Sequence, residues 1–141
     1  MLRITINDKQ IDEALELISS AVDPVTLVDE AAAILLSRIR RRYLDQTAPD
    51  GSKWIPSYAA QLRAKTGRGG GTLYDTGRLF NSIQLYADTD TSRLIGTDVP
   101  YGKIHNEGIG KAPKRQFLGA NEEDTDLMVK LVVNRIKKAL G

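Results

Sequence analysis

The sequence contains no cysteine, and only one histidine and one tryptophan occur among its 141 residues. Without cysteine there are no disulfides, thiolate metal sites or cysteine nucleophiles, and the absence fits a reducing compartment. The lone histidine, His105, with scattered carboxylates is a thin set of zinc ligands. No apolar run approaches the roughly 18 residues that a membrane span needs. The opening MLRITINDKQ lacks the apolar core of a signal peptide, so a soluble protein made in the cytoplasm is expected. Excess charge is missing too. A net charge of +2 is too small to imply nucleic-acid binding by itself.

The balance that is present is globular, with 41% hydrophobic and 27% charged residues. One domain over residues 1–141 is expected, long enough to bury roughly two thirds of its unfolded surface. Charge is unevenly spread. Arg38, Arg40, Arg41 and Arg42 form one basic cluster, and Lys111, Lys114 and Arg115 form another. Acidic residues gather at 88–98 and 122–126.

Periodicity gives the elements. LRITI (2–6) alternates as a short strand, and Ile11, Ala14, Leu15 and Ile18 space a helix over 8–21. Asp23-Pro24 opens a second helix, 24–45, whose stripe runs Val28, Ala32, Leu35, Ile39 and Tyr43. Its RIRRR end suits the negative pole of the helix dipole and reads as a solvated face. Pro49-Asp50-Gly51 is a tight turn, Trp54 an anchor, and 56–65 a short helix. TGRGGGT (66–72) lacks the Lys-Ser/Thr of a phosphate loop and reads as a mobile loop that orders on assembly. A helical stub follows Thr76. Residues 82–87 and 93–96 pair as a hairpin with Ile83, Leu85 and Ala87 facing inward. A closing helix, 121–140, is capped by Asn121 and carries Met128, Val132 and Ile136 on one stripe. The resulting class is α+β, with long N-terminal helices and a C-terminal helix packed on a small antiparallel sheet.

IGTDVPYGKIHNEG (95–108) holds the histidine. No serine sits in a nucleophile context. The H-N-E triplet resembles a zinc-deaminase signature but lacks its cysteines. Nothing singles out a carboxylate pair. No catalytic, cofactor-binding or metal residue is assigned. Instead, the stretch reads as a strand end and turn or a short helix. Tyr101, Ile104 and His105 lie on one face there, His105 is hydrogen-bonded to a backbone or carboxylate group, and Gly96, Gly102 and Gly108 allow the bends.

Four segments in order, PDGSKW, LYDTGRLFNSI, IGTDVPYGKIHNEG and APKRQFLG, together resemble the phage virion morphogenesis family, the small tail-completion proteins of Mu-like and related tailed phages. The matching residues are Pro49, Asp50, Gly51 and Trp54, then Leu73, Thr76, Gly77, Leu79 and Ser82. They continue with Ile95, Gly96, Thr97, Tyr101, Ile104, His105 and Gly108, and end with Pro113, Arg115, Phe117, Leu118 and Gly119. The resemblance covers about residues 24–140. Gly102 departs from it, since the family often has alanine there, and the glycine is expected to loosen the backbone.

The resemblance implies a non-enzymatic role in tail completion or head–tail joining, without cofactor. It implies other phage tail or neck proteins as partners, and a homo-oligomer such as a ring. It places the protein first in the host cytoplasm and then in the virion, at the head–tail junction or tail end. Asp50, Gly51, Trp54, Thr76, Gly77, Leu79, Gly96, Tyr101, His105, Gly108, Arg115, Phe117 and Leu118 become the structural or interface candidates. The alternative is a nucleic-acid-contacting connector module using RIRRR and KAPKR, whose binding would weaken steeply with salt. No membrane partner is expected.

Overall fold

A computed structural model describes residues 22–141. The strand expected at 2–6 and the helix expected at 8–21 lie outside those residues. The elements in order are α1 (Pro24–Asp45), α2 (Tyr58–Lys65), α3 (Arg78–Ser82), β1 (Gln84–Thr89), β2 (Ser92–Gly96), α4 (Pro100–Glu107) and α5 (Glu122–Leu140). The α+β class holds.

α1 starts where Asp23-Pro24 places it. The Asp23 carboxylate accepts from the Val25 N–H at 3.1 Å and from the Thr26 hydroxyl at 2.6 Å. Pro24 occupies the first turn, where its missing N–H costs nothing. Over 22 residues the helix buries Leu27, Val28, Ala31, Ala32, Leu35, Ile39 and Tyr43, the expected stripe widened by two. α5 lies along α1, and the β1–β2 hairpin also packs on α1. The long helix is thus the element the others share.

The hairpin is antiparallel, with Gln84 opposite Gly96 and Tyr86 opposite Leu94. One extra residue, Asp88, is accommodated as a bulge between Ala87 and Thr89. The inward alternation expected along β1 fades after the start. Ile83 is fully buried, Leu85 half-buried and Ala87 exposed. The bulge twists the end of β1 away, while β2 stays almost wholly buried. Two cations fasten the hairpin to α1. Arg40 donates to the Ile83 carbonyl at 2.8 Å, and buried Arg93 pairs with Asp29.

The centre of the core is aromatic. Tyr43 meets Trp54 edge-on at 5.1 Å between ring centroids, and it packs against Phe80 at 5.3 Å and Phe117 at 5.5 Å. Its hydroxyl donates to the Leu73 carbonyl at 2.6 Å. Burial pushes the phenol well above its ordinary range, which keeps it a neutral donor. That bond fixes the turn through Leu73, a residue with φ of +62°.

The glycine loop is only partly free. Gly71 accepts from Arg63 at 2.9 Å, and a Cβ at Gly71 would overlap the Gln46 side chain. Thr72 is buried and accepts from the Ser57 N–H at 3.0 Å. The uniformly mobile reading therefore fails at 71–72, because the Gly71 carbonyl and the Thr72 hydroxyl hold α2 and Ser57 while Gly71 packs against Gln46 after α1.

Replacing Tyr43 by phenylalanine keeps the ring contacts and removes one buried hydrogen bond. The expected cost is about 1 kcal/mol, seen as a lower urea midpoint at unchanged slope.

Candidate assembly interface

Only Arg41 of the basic run of α1 is left on a solvated face, in an exposed pair with Asp45. Arg38 and Arg42, one turn apart, both reach the carboxylate of Asp124 on α5, at 2.7 and 2.8 Å. The Asp124 side chain is 0% exposed. It also completes a capping box. The Asn121 side chain accepts from the Asp124 N–H at 2.9 Å, and Asp124 accepts from the Asn121 N–H at 3.1 Å. Arg42 further donates to the Gly119 carbonyl at 2.8 Å, and Arg41 pairs with Asp45 along the helix. With Arg40 on Ile83, all four arginines of the run have partners within the chain. That changes the reading of Arg38 and Arg42 from dipole complement to internal clasp.

The segment before α5 is stitched residue by residue. Arg115 donates its backbone N–H to the His105 carbonyl at 2.8 Å and its Nε to the Ile55 carbonyl at 2.7 Å. The Gln116 carbonyl accepts from the Trp54 indole at 3.0 Å. Phe117 and Leu118 both donate their N–H groups to the side-chain oxygen of Asn106, at 3.0 and 2.8 Å. Asn121 reaches back to the Pro49 carbonyl at 3.0 Å. RQFLG is thus clamped among α1, the 48–55 turn and α4.

Most of the candidate residues belong to this framework. Trp54, Leu79, Arg115, Phe117 and Leu118 are buried. Asp50 accepts from the Ser52 hydroxyl and N–H, which hold its carboxyl below the usual range, and Gly51 takes the positive φ of that turn. The Thr76 hydroxyl accepts from the Arg78 N–H at the start of α3. Gly77 opens α3 at φ +83°, with a virtual Cβ 3.0 Å from Asn81. Gly96 ends β2 and is buried, and Ser82 and Thr97 join through their hydroxyls. Gly108 caps α4 at φ +70°, and a Cβ there would sit 2.9 Å from the Lys114 backbone.

Residues 100–107 form a helix rather than an extended turn, and the helix settles where its side chains point. Tyr101, Ile104 and His105 do share a face, but not an inward one. Tyr101 is 37% and Ile104 41% exposed, with Ile109 exposed beyond them. The inward positions are Gly102 and Asn106, four residues apart. Gly102 does not loosen the backbone. A Cβ there would come within 2.7 Å of the Thr97 methyl group and 3.1 Å of Leu79, so its smallness lets α4 approach the core. Asn106, absent from the expected set, is what guides the chain into RQFLG. Its only sequence signal is its place four residues after Gly102.

His105 is half-buried, edge-on to Tyr101 at 6.3 Å, and the Arg78 guanidinium lies 5.8 Å from the Tyr101 ring centroid. The expected hydrogen bond from the imidazole is missing. Nδ1 is buried without a partner among the described residues, and the backbone carbonyl accepts from the Arg115 N–H. Burial, then the nearby positive charge of Arg115, lowers the imidazole pKa. Among the described residues no three His, Asp or Glu side chains converge on a metal position. A groove of about 320 Å³ between the start of α1 and the end of α5 does not include His105. No described helix is long and apolar enough to cross a membrane.

Two outcomes are expected. Asn106→Ala strips the acceptor from two buried N–H groups and lowers stability by about 3 kcal/mol in urea unfolding. The single imidazole resonance titrates below its ordinary value of about 6.5. The unfolded chain then binds more proton through that window, so stability falls as pH drops from 7 to 5. His105→Gln flattens that dependence, read from urea midpoints at both pH values.

Comparison with known proteins adds the family. Searches of curated proteins and of solved structures found no match. The model of the phage virion morphogenesis family matches residues 6–137, which takes in all four motifs and the framework they build. The chain belongs to the phage virion morphogenesis family.

Proposed function

We propose that the protein is a non-enzymatic subunit acting in tail completion or head–tail joining, assembling as a ring and docking on other tail or neck proteins. It works in the host cytoplasm and ends in the virion, at the head–tail junction or tail end. The observation that carries this reading is the split within IGTDVPYGKIHNEG. Thr97, Gly102 and Asn106 are buried in the framework, whereas Tyr101 and Ile104 of the same helix point outward. Apolar and aromatic side chains left outside by a rigid support suit contact with a neighbouring protein.

The DNA-contacting alternative is weakened, because Arg38, Arg40 and Arg42 are engaged within the chain and only Arg41 stays largely exposed. Of KAPKR, Lys111 and Lys114 are exposed while Arg115 is buried.

Light scattering after size exclusion, followed by negative-stain imaging, should reveal closed rings. Tyr101→Asp with Ile104→Asp should keep the circular dichroism of the fold and lose tail joining in a complementation assay. Normal joining by that variant would contradict the role given to α4.

A further inference from the structure

A second surface stands apart from α4. Helix α2 is turned inside out. Its buried residue is Ala60, while Tyr58 and Leu62, four residues apart on the opposite side, face solvent. Tyr58 is 74% and the adjoining Ile55 61% exposed. Leu44, in the last turn of α1, is exposed as well. From 51 to 74 the chain carries Lys53, Arg63, Lys65 and Arg68 and no acidic residue. Asp75 pairs with Arg63 and Arg68, which leaves Lys53 and Lys65, both exposed, as the cations of this pole without an ion pair among the described residues.

The hairpin has the opposite character. From 84 to 98 it carries Asp88, Asp90 and Asp98 against a single cation, Arg93, which is already paired with Asp29. All three aspartates are exposed, and beside them Ala87, Thr89 and Thr91 offer small apolar groups. Among the described residues β1 is paired along one edge, with β2.

These surfaces lie far apart on one rigid element. The hairpin turn is tied to α1 at Asp29, and Lys53 reaches the Asp45 carbonyl at the other end. The 16 residues from Asp29 to Asp45 span about 24 Å of helix. No hydrogen bond or ion pair joins α2 to the hairpin among the described residues.

We propose that two copies of this chain join head to tail, the acidic hairpin tip of one seating on the basic, apolar α2 pole of the next. Two different patches at opposite ends make a heterologous contact, which closes into a ring when the rotation fits and otherwise runs on as a filament. Asp88 and Asp90 meet Lys53 and Lys65, and the small side chains of β1 cover Tyr58 and Leu62. The charges set direction and register, and the apolar pole supplies burial. This contact rests on the ring reading above and specifies its interface.

Sedimentation velocity of the full chain tests it. Asp88→Lys with Asp90→Lys should weaken self-association at least about tenfold, and Lys53→Glu with Lys65→Glu should do the same. Combining all four should restore association to within about threefold of the parent, which no folding defect would mimic. Failure of the four-fold variant to recover overturns the contact. So does unchanged assembly of the double variants. A parent chain that stays monomeric at high concentration also overturns it, while tail joining by that monomer would leave the assembly role standing. The absence of native cysteine gives a second readout. Tyr58→Cys mixed with Asp90→Cys should yield mixed disulfide dimers under oxidation, and dimers of Tyr58→Cys alone would overturn the pairing. Binding of the α2 pole to duplex DNA, lost with salt and with Lys53→Glu/Lys65→Glu, would assign that pole to nucleic acid instead.

Discussion

One carboxylate holds two helices and a loop together. Asp124 lies wholly out of solvent, faced by Arg38 and Arg42 of α1 and by the backbone of its own helix start. A buried ion pair is not stabilising by default, since desolvation can exceed the attraction. Here the carboxylate has both guanidinium groups and the Asn121 N–H as donors, and Arg42 reaches the Gly119 carbonyl with Nη2, although its Nε is buried without a partner among the described residues. The cluster fixes where α5 begins, how it lies along α1, and where RQFLG must end.

The framework that follows is polar in its stitching and aromatic in its filling. Asn106, the Trp54 indole, Arg115 and Asn121 each satisfy backbone groups of a different segment. Around them Tyr43, Trp54, Phe80 and Phe117 fill the centre. A loop clamped at successive residues behaves as part of the core rather than as a lid. That rigidity matters for an assembly subunit, because a pre-formed docking face loses little conformational freedom on binding. The outward side chains of α4 and α2 are carried by short helices, each tied to this framework by hydrogen bonds.

Much of this was legible beforehand. α1, the 48–51 turn, the hairpin and α5 follow from 3.6- and two-residue periods with Pro, Asp, Gly and Asn at the ends, all local chemistry. What was not legible depends on contacts between distant segments. RIRRR looks like a dipole-facing cluster until Asp124, more than eighty residues later, is brought beneath it. Asn121 was read as the cap of the closing helix, but nothing local showed that Asp124 beside it meets Arg38 and Arg42. The sequence placed Tyr101, Ile104 and His105 on one face without saying which way that face points. The helix starting at Pro100 turns Tyr101 and Ile104 out and turns Gly102 and Asn106 in. The glycine loop looked uniformly mobile, since only the fold shows Gly71 against Gln46. The family, in contrast, was readable from four ordered motifs, because those motifs are the framework itself.

The central claim is that Arg38 and Arg42 of the basic run of α1 serve the interior by clasping Asp124. A double-mutant cycle on the Arg42–Asp124 pair tests it most directly, with Arg42→Met, Asp124→Asn and the double variant compared by urea unfolding. The clasp predicts a coupling energy of about 2–3 kcal/mol, the upper range for side chains in one buried network. Additive effects, with coupling below about 0.5 kcal/mol, would mean the pair is incidental and would return the arginine run to the surface.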